Sequence, residues 1–245
     1  MAPRIEDYAL IGNMQTAALT GRTGAIDWLC APRFDSPAVF AALLGTDDHG
    51  SWHLAPVSAD SPPAPADRRR YRGDSLILEQ EWDTPGGTVR VIDFMPTAPR
   101  AGADPVPRII RIVEGLTGTV RVRSTLRPRF GYGRTTPAIT LVERGDGRHR
   151  AVAVAGPDAL WLDGPRHAPD TGTLNADLTV TAGQRVALVL TYRESHRGSP
   201  PVIDAHRELD ATAGFWHEWA DQCTYQGPYR EAVIRSLITL KGLTY

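Results

Sequence analysis

Long hydrophobic runs are missing from these 245 residues. No stretch approaches the roughly 18 consecutive apolar residues of a membrane-spanning helix, and the N-terminus, Met1-Ala2-Pro3-Arg4-Ile5-Glu6-Asp7, carries no apolar segment of the kind a signal peptide needs. The expected compartment is the cytoplasm, with no membrane partner. An excess of one charge is missing too: 27 basic against 28 acidic residues give a net charge of -1, which excludes the basic surface that nucleic acid would require. Lysine is nearly absent; Lys241 is the only one. With Ala, Gly and Pro also abundant, this reads as genome composition and not as chemistry. Two cysteines, Cys30 and Cys223, lie far apart in apolar or aromatic surroundings and read as small buried hydrophobes, not a disulfide. Metal motifs are lacking: there is no CxxC, His217-Glu218 has no second His four residues on, and His49 and His53 straddle a glycine and a strand start. Neither GxSxG nor GxxxxGK[ST] occurs. The expectation is no metal and no cofactor.

What the chain has in abundance is two-residue alternation. Val120, Val122, Ser124 and Leu126 alternate with Arg121, Arg123, Thr125 and Arg127, and Leu174, Ala176, Leu178 and Val180 alternate with polar neighbours. Each pattern predicts a strand with one buried and one wet face. Val186 to Tyr192 follows Ala182-Gly183, which predicts a hairpin. Leu76–Trp82 and Thr88–Phe94 flank Pro85-Gly86-Gly87, a second hairpin, with a phase shift between Val91 and Ile92 that predicts a bulge. Residues 15–20 and 25–29 flank Gly21-Arg22-Thr23-Gly24, a third. Shorter strands are expected at 51–55, 107–114, 138–143, 149–154 and 159–163. Many short strands at this spacing predict a mainly β chain, a two-sheet antiparallel β-sandwich.

Three stretches depart from the strand texture. Ser36 to Leu44 reads as a short helix, with Ser36 as N-cap and Pro37 at the first helical position. Ser58 to Arg70 reads as a solvated Pro/Ala/Asp connector ending in a basic run. From about Asp204 the pattern turns helical: Ala205–Tyr225 carries Leu209, Phe215, Trp216 and Trp219. After Gly227-Pro228, Tyr229–Tyr245 carries a broad stripe of Val233, Ile234, Leu237, Ile238, Leu240 and Leu243. Such a stripe needs other helices to cover it. A second copy meeting this chain through residues 226–245 is the alternative cover, since an uncovered patch seeks a partner.

Among candidate polar sites, Asp27-Trp28-Leu29-Cys30 reads as a strand that breaks at Pro32 into Arg33-Phe34-Asp35. Arg supplies a planar fork, Asp accepts paired hydroxyls, and Trp or Phe covers a C–H face; these are the groups that bind sugars. Trp28, Arg33, Phe34 and Asp35 are the candidate substrate-binding residues. The bland alternative is that Arg33 and Asp35 pair with each other while Asp35 or Ser36 caps the helix. Glu79 and Glu81 share a strand face expected to be wet, and Asp93 is expected to satisfy turn amides. Gly131-Tyr132-Gly133, after Arg129-Phe130, reads as an exposed aromatic loop, either a sugar platform with Phe130, an interface element or a simple turn.

Three blocks, YALIGNMQTAALTGRTGAIDWLCAPRFDSPAVFAALLG, VRVIDFMP and GPYREAVIRSLITLKGLTY, occur in this order and resemble the bacterial and archaeal trehalase-like and glucoamylase-like branch of glycoside hydrolase family 15. The resemblance implies an N-terminal sandwich of the supersandwich type, a helical linker and an (α/α)6 barrel. It places the two catalytic glutamates of an inverting α-glycosidase in the barrel, beyond Tyr245, so no residue of this chain is expected to be catalytic. It divides the chain into a sandwich (1–203), a linker (204–226) and the first helix of a missing barrel (227–245). It also implies an α-linked glucose disaccharide or oligosaccharide as partner of the full-length protein: α,α-trehalose first, a glucoamylase- or α-glucosidase-type substrate second. A free-standing carbohydrate-binding module and an oligomerisation unit are the rival readings.

Overall fold

The computed structural model describes residues 3–57, 63–97, 106–146 and 149–244. Among the described residues, sixteen strands follow one another: β1 (Tyr8–Gly12), β2 (Ala17–Gly21), β3 (Ala25–Cys30), β4 (Ala38–Phe40), β5 (Ser51–Pro56), β6 (Arg68–Tyr71), β7 (Leu78–Thr84) and β8 (Gly87–Phe94), then β9 (Arg108–Gly115), β10 (Thr119–Arg127), β11 (Ala138–Glu143), β12 (His149–Ala155), β13 (Asp158–Asp163), β14 (Ala168–Asp170), β15 (Thr173–Thr181) and β16 (Arg185–Glu194). They form two antiparallel eight-stranded sheets. One runs β1-β2-β3-β5-β10-β15-β14, with β4 added on β3; the other runs β11-β12-β13-β16-β9-β8-β7-β6. The fold is the expected sandwich, and its interior is the alternating set: Val120, Val122 and Leu126 of β10 meet Val89, Val91 and Val113 of the facing sheet.

Several local expectations fail for stated reasons. Ala182-Gly183 does reverse the chain, but into the other sheet: β15 pairs with β10 and β14, and β16 with β9 and β13. A turn signal fixes the reversal and leaves the neighbour to the long alternating strands on either side. The β7–β8 hairpin forms without a bulge. The apolar phase shifts at Val91/Ile92 because β8 is covered on both faces: Val89 and Val91 enter the sandwich, while Ile92 and Phe94 lie in a second cluster with Ala205 and Leu209 of a helix. Ser36–Leu44 is not a helix. Residues 38–40 form β4, held by β3 on one side and by Arg129 and Tyr132 N–H groups donating to the Val39 and Ala38 carbonyls on the other, before a 3-10 turn at Ala42–Leu44. Tertiary pairing overrides the capping signal. The basic run Arg68–Arg70 is no connector but the edge strand β6, and 58–62 lie outside the described residues.

That edge strand explains Glu79 and Glu81, which are buried where a wet face was expected. Arg68 and Arg90 reach Glu81 at 2.8 and 2.7 Å, and Arg70 and Arg72 each reach Glu79 at 2.7 Å. Burial alone would raise the Glu81 carboxyl. The hydrogen bonds from Arg68 and Arg90 outweigh it and hold Glu81 below the usual carboxylate range. A depressed carboxyl contributes stability that is present above its unfolded value, roughly pH 4.3, and is lost as pH falls through the lower folded value. Glu81→Gln is therefore expected to cost about 1.5–3 kcal/mol at neutral pH and to flatten the fall in stability below about pH 4, read by urea unfolding at several pH values.

Asp93 is structural, but its partner is a guanidinium. Asp93 and Arg111 are fully buried and paired at 2.8 and 3.0 Å. Arg111 also donates across the sandwich to the carbonyls of Trp52 (2.7 Å) and Gly24 (2.8 Å), with its guanidinium 5.1 Å from the Trp52 ring centre. Two strands of one sheet thus hold a strand and a turn of the other.

Two helices close the chain, α1 (Ala205–Ala220) and α2 (Arg230–Gly242). Asp204 caps α1 by accepting the His206 and Arg207 N–H groups. Leu209 packs on Ile77, Ile92 and Ile110, and Trp216, wholly buried, joins Leu76 to Ile234 and Ile238 of α2. The α2 stripe therefore divides: Ile234 and Ile238 are covered within the chain, while Leu240 and Leu243 are 61 and 46% exposed. Cys30 and Cys223 are free thiols, buried and half-buried. No described helix is long and apolar enough to cross a membrane.

Candidate functional site

The segment between β3 and β4 leaves the sheet at Ala31 and returns at Ala38. It is a closed turn: the Ser36 hydroxyl accepts the Arg33 N–H and the Ser36 N–H donates to the Arg33 carbonyl, both at 3.1 Å. At its tip the Arg33 fork grips Asp35, Nε to Oδ1 at 3.0 Å and the terminal nitrogen to Oδ2 at 3.3 Å, with both side chains exposed. Arg33 and Asp35 pair with each other, and Ser36 closes the turn instead of capping a helix. Phe34 is half-buried, and its N–H donates to the Gln15 carbonyl at 3.0 Å.

That hydrogen bond ties the loop to the turn between β1 and β2. There the Asn13 side chain accepts the Gln15 and Thr16 N–H groups, and the Thr16 hydroxyl donates to the Cys30 carbonyl. Met14, with φ of 70°, donates its N–H to the Gly242 carbonyl at 3.1 Å. The β3–β4 loop, the Met14 turn and the C-terminal end of α2 are therefore joined in one hydrogen-bonded row. Arg235 secures the helix from the other side: it donates to the Ser75 carbonyl at 2.7 Å and lies 4.2 Å from the Tyr71 ring centre.

Trp28 is half-buried beside Cys30, Ala38 and Ala41, with the Tyr132 ring centre 6.1 Å away and tilted by 47°. Tyr132 is 45% exposed and has φ of 62° between Gly131 and Gly133, whose left-handed conformations shape the loop around it. Phe130 is buried in the sandwich core, so it cannot share a platform with Tyr132. Half-buried Trp28 and exposed Tyr132 form a ring pair, and their tilt denies them one flat stacking surface. Sequence reasoning separated these rings by a hundred residues; only the pairing of the 129–132 segment with β4 brings them together.

A second group was missed altogether. Asp27, Asp47 and His53 converge, with one donor atom from each within 4.8 Å of the others. Tyr8 donates its hydroxyl to Asp27 Oδ2 at 2.7 Å, and His53 Nε2 lies 3.1 Å from Asp47 Oδ1. Burial pushes the Asp27 carboxyl up, with Tyr8 and His53 opposing; the hydrogen bond from His53 holds Asp47 down. No short motif links residues on a strand, a 3-10 turn and another strand. The one local signal was a carboxylate, Asp27, inside an otherwise apolar strand. Asp27 and Asp47 lie closer than the roughly 6.5–9.5 Å that an inverting carboxyl pair needs to admit its water.

The polar loop between β3 and β4 and the C-terminal end of α2 thus meet at one edge of a two-sheet antiparallel sandwich. Residues 1–165 match the family described as trehalase-like, N-terminal, and the chain belongs to that family. It is 29% identical to a trehalase of Mycolicibacterium smegmatis across 99% of this chain and 38% of that protein. It is 26% identical to a trehalase of Thermoplasma volcanium with the same two coverages. A Sulfolobus acidocaldarius protein named Trehalase 2 is 34% identical over 52% of this chain and 19% of its own length. The chain thus spans about two fifths of the first two relatives, at 38% of each.

Proposed function

We propose that this chain is the non-catalytic N-terminal sandwich of an inverting family 15 α-glycosidase that hydrolyses α,α-trehalose to glucose. In this reading residues 1–203 are the sandwich, 204–226 the linker and 227–245 the first helix of a catalytic barrel. The barrel supplies the general acid and general base; the sandwich supports it and lends Trp28, Arg33, Phe34 and Asp35 to the pocket rim. The carrying observation is the row that joins the Phe34 N–H, through Gln15 and Met14, to the Gly242 carbonyl. A barrel continuing from α2 would start beside the loop, within reach of the Arg33–Asp35 pair. Exposed Leu240 and Leu243 give it an apolar seat on the same helix. The trehalase names of the relatives favour trehalose over longer α-glucosides. The compartment proposed is the cytoplasm.

The test is a chimera in which this chain replaces the matching segment of the M. smegmatis trehalase. Trehalose hydrolysis by a folded chimera is expected. A chimera that folds, shown by a cooperative melt, yet releases no glucose would count against the support role.

A further inference from the structure

Asp27 is a carboxylate on β3 with 6% of its surface exposed. A buried carboxylate is costly unless a cation or several hydrogen bonds compensate it. Its hydrogen bond is to a neutral hydroxyl, Tyr8. Among the described residues no guanidinium or ammonium pairs with it within 4 Å. The arginines of β10, two strands away, are engaged elsewhere, Arg127 by Asp48 at 2.9 Å and Arg123 by Asp177 at 2.7 Å. Asp47 and His53 point at the same place, and a cleft of about 290 Å³ opens on both, with Ala55, Val57 and Thr125 among its walls.

We propose that Asp27, Asp47 and His53 bind one divalent ion of the zinc type, with a water from the cleft as the fourth ligand. Two carboxylates and one neutral imidazole balance a charge of +2. One nitrogen with two oxygens suits zinc, whereas magnesium and calcium favour all-oxygen sets. The geometry is close to what such an ion needs. With bonds of roughly 2.0–2.1 Å, the donor-to-donor edge of a tetrahedron is about 3.3 Å. The Asp47–His53 edge is 3.1 Å, and Asp27 offers its ligand atom within 4.8 Å of both. Tyr8 then holds the Asp27 carboxylate in place, as an outer partner commonly does for a metal ligand. The ion would join β3, the 3-10 turn Asp47–His49 and β5, and so clamp both ends of the segment that carries the Arg33–Asp35 loop. The proposal is independent of whether the parent protein cleaves trehalose. It departs from the sequence-based expectation of no metal, because donors 20 and 6 residues apart form no recognised spacing.

The experiment uses the 245-residue chain after removal of metal with chelator, titrated calorimetrically with zinc chloride, then with magnesium and calcium chloride. One zinc per chain is expected, with a raised melting temperature and at least a hundredfold weaker binding of magnesium and calcium. His53→Gln and Asp47→Asn, both outside the core, are each expected to weaken zinc binding tenfold or more while leaving the metal-free melting temperature within a few degrees. A Cys30→Ser/Cys223→Ser variant is expected to bind as the parent does. Cobalt(II) is expected to give the strong visible bands of a tetrahedral site in the parent and not in His53→Gln. Absence of saturable zinc binding, or binding that His53→Gln and Asp47→Asn leave unchanged, would overturn the assignment.

Discussion

Asp93→Ala is expected to destabilise the domain by about 3–5 kcal/mol, the cost of leaving one partner of a buried ion pair uncompensated. For a chain of this size that is a fall in melting temperature of roughly 6–20 °C. The magnitude follows from the position of Arg111, which no water reaches and which has four protein acceptors: both Asp93 oxygens and the carbonyls of Trp52 and Gly24. Removing Asp93 leaves a charge in the core with two carbonyls to answer it. Replacing both partners, Asp93→Leu with Arg111→Met, removes the stranded charge. It still removes the Arg111 donor from the Trp52 carbonyl, a cost of about 1–3 kcal/mol, while the Gly24 carbonyl keeps the Leu54 N–H at 3.0 Å. The double variant is therefore expected to recover only part of the loss. Urea unfolding of the two singles and the double checks this. A single-variant loss below about 1 kcal/mol would mean that the two sheets do not depend on this clamp.

The second large effect concerns the loop. In the chimera with the M. smegmatis barrel, Arg33→Ala is expected to lower kcat/KM for trehalose about 10- to 100-fold, the worth of one or two charge-assisted hydrogen bonds to a bound ligand. Its melting temperature should hardly move, because an exposed ion pair such as Arg33–Asp35 contributes at most about 1 kcal/mol. Loss of activity with unchanged stability is what a rim residue predicts. Unchanged activity would return the loop to a purely local role, with the Arg33 fork holding Asp35.

How far the sequence carried the fold depends on the range of the signal. Strands with one wet face, β10 and β15 above all, were plain from alternation, because each residue's environment repeats every second position. The two helices followed from the change of periodicity after about Asp204. What escaped was set by distant partners. Ala38–Phe40 became a strand because β3 and the 129–132 segment claim its backbone, against its own Ser-Pro helix signal. Glu79 and Glu81 read as solvent-facing because strand alternation says nothing of an arginine-bearing edge strand paired beside them. The same limit governed the candidate site. Arg33 and Asp35 are two residues apart, and their pairing was an open alternative from the start. The Trp28–Tyr132 contact and the Asp27–Asp47–His53 group required the sheet to be assembled first.

In the proposed function the acids which break the glycosidic bond belong to a barrel outside these residues. Glucose release from α,α-trehalose by the purified 245-residue chain, at micromolar protein and with or without zinc, tests it most directly. The account predicts no release above buffer from the chain by itself, and release once a trehalase barrel is joined to it. Sustained hydrolysis by the chain alone, abolished by a single carboxylate replacement within it, would contradict the claim.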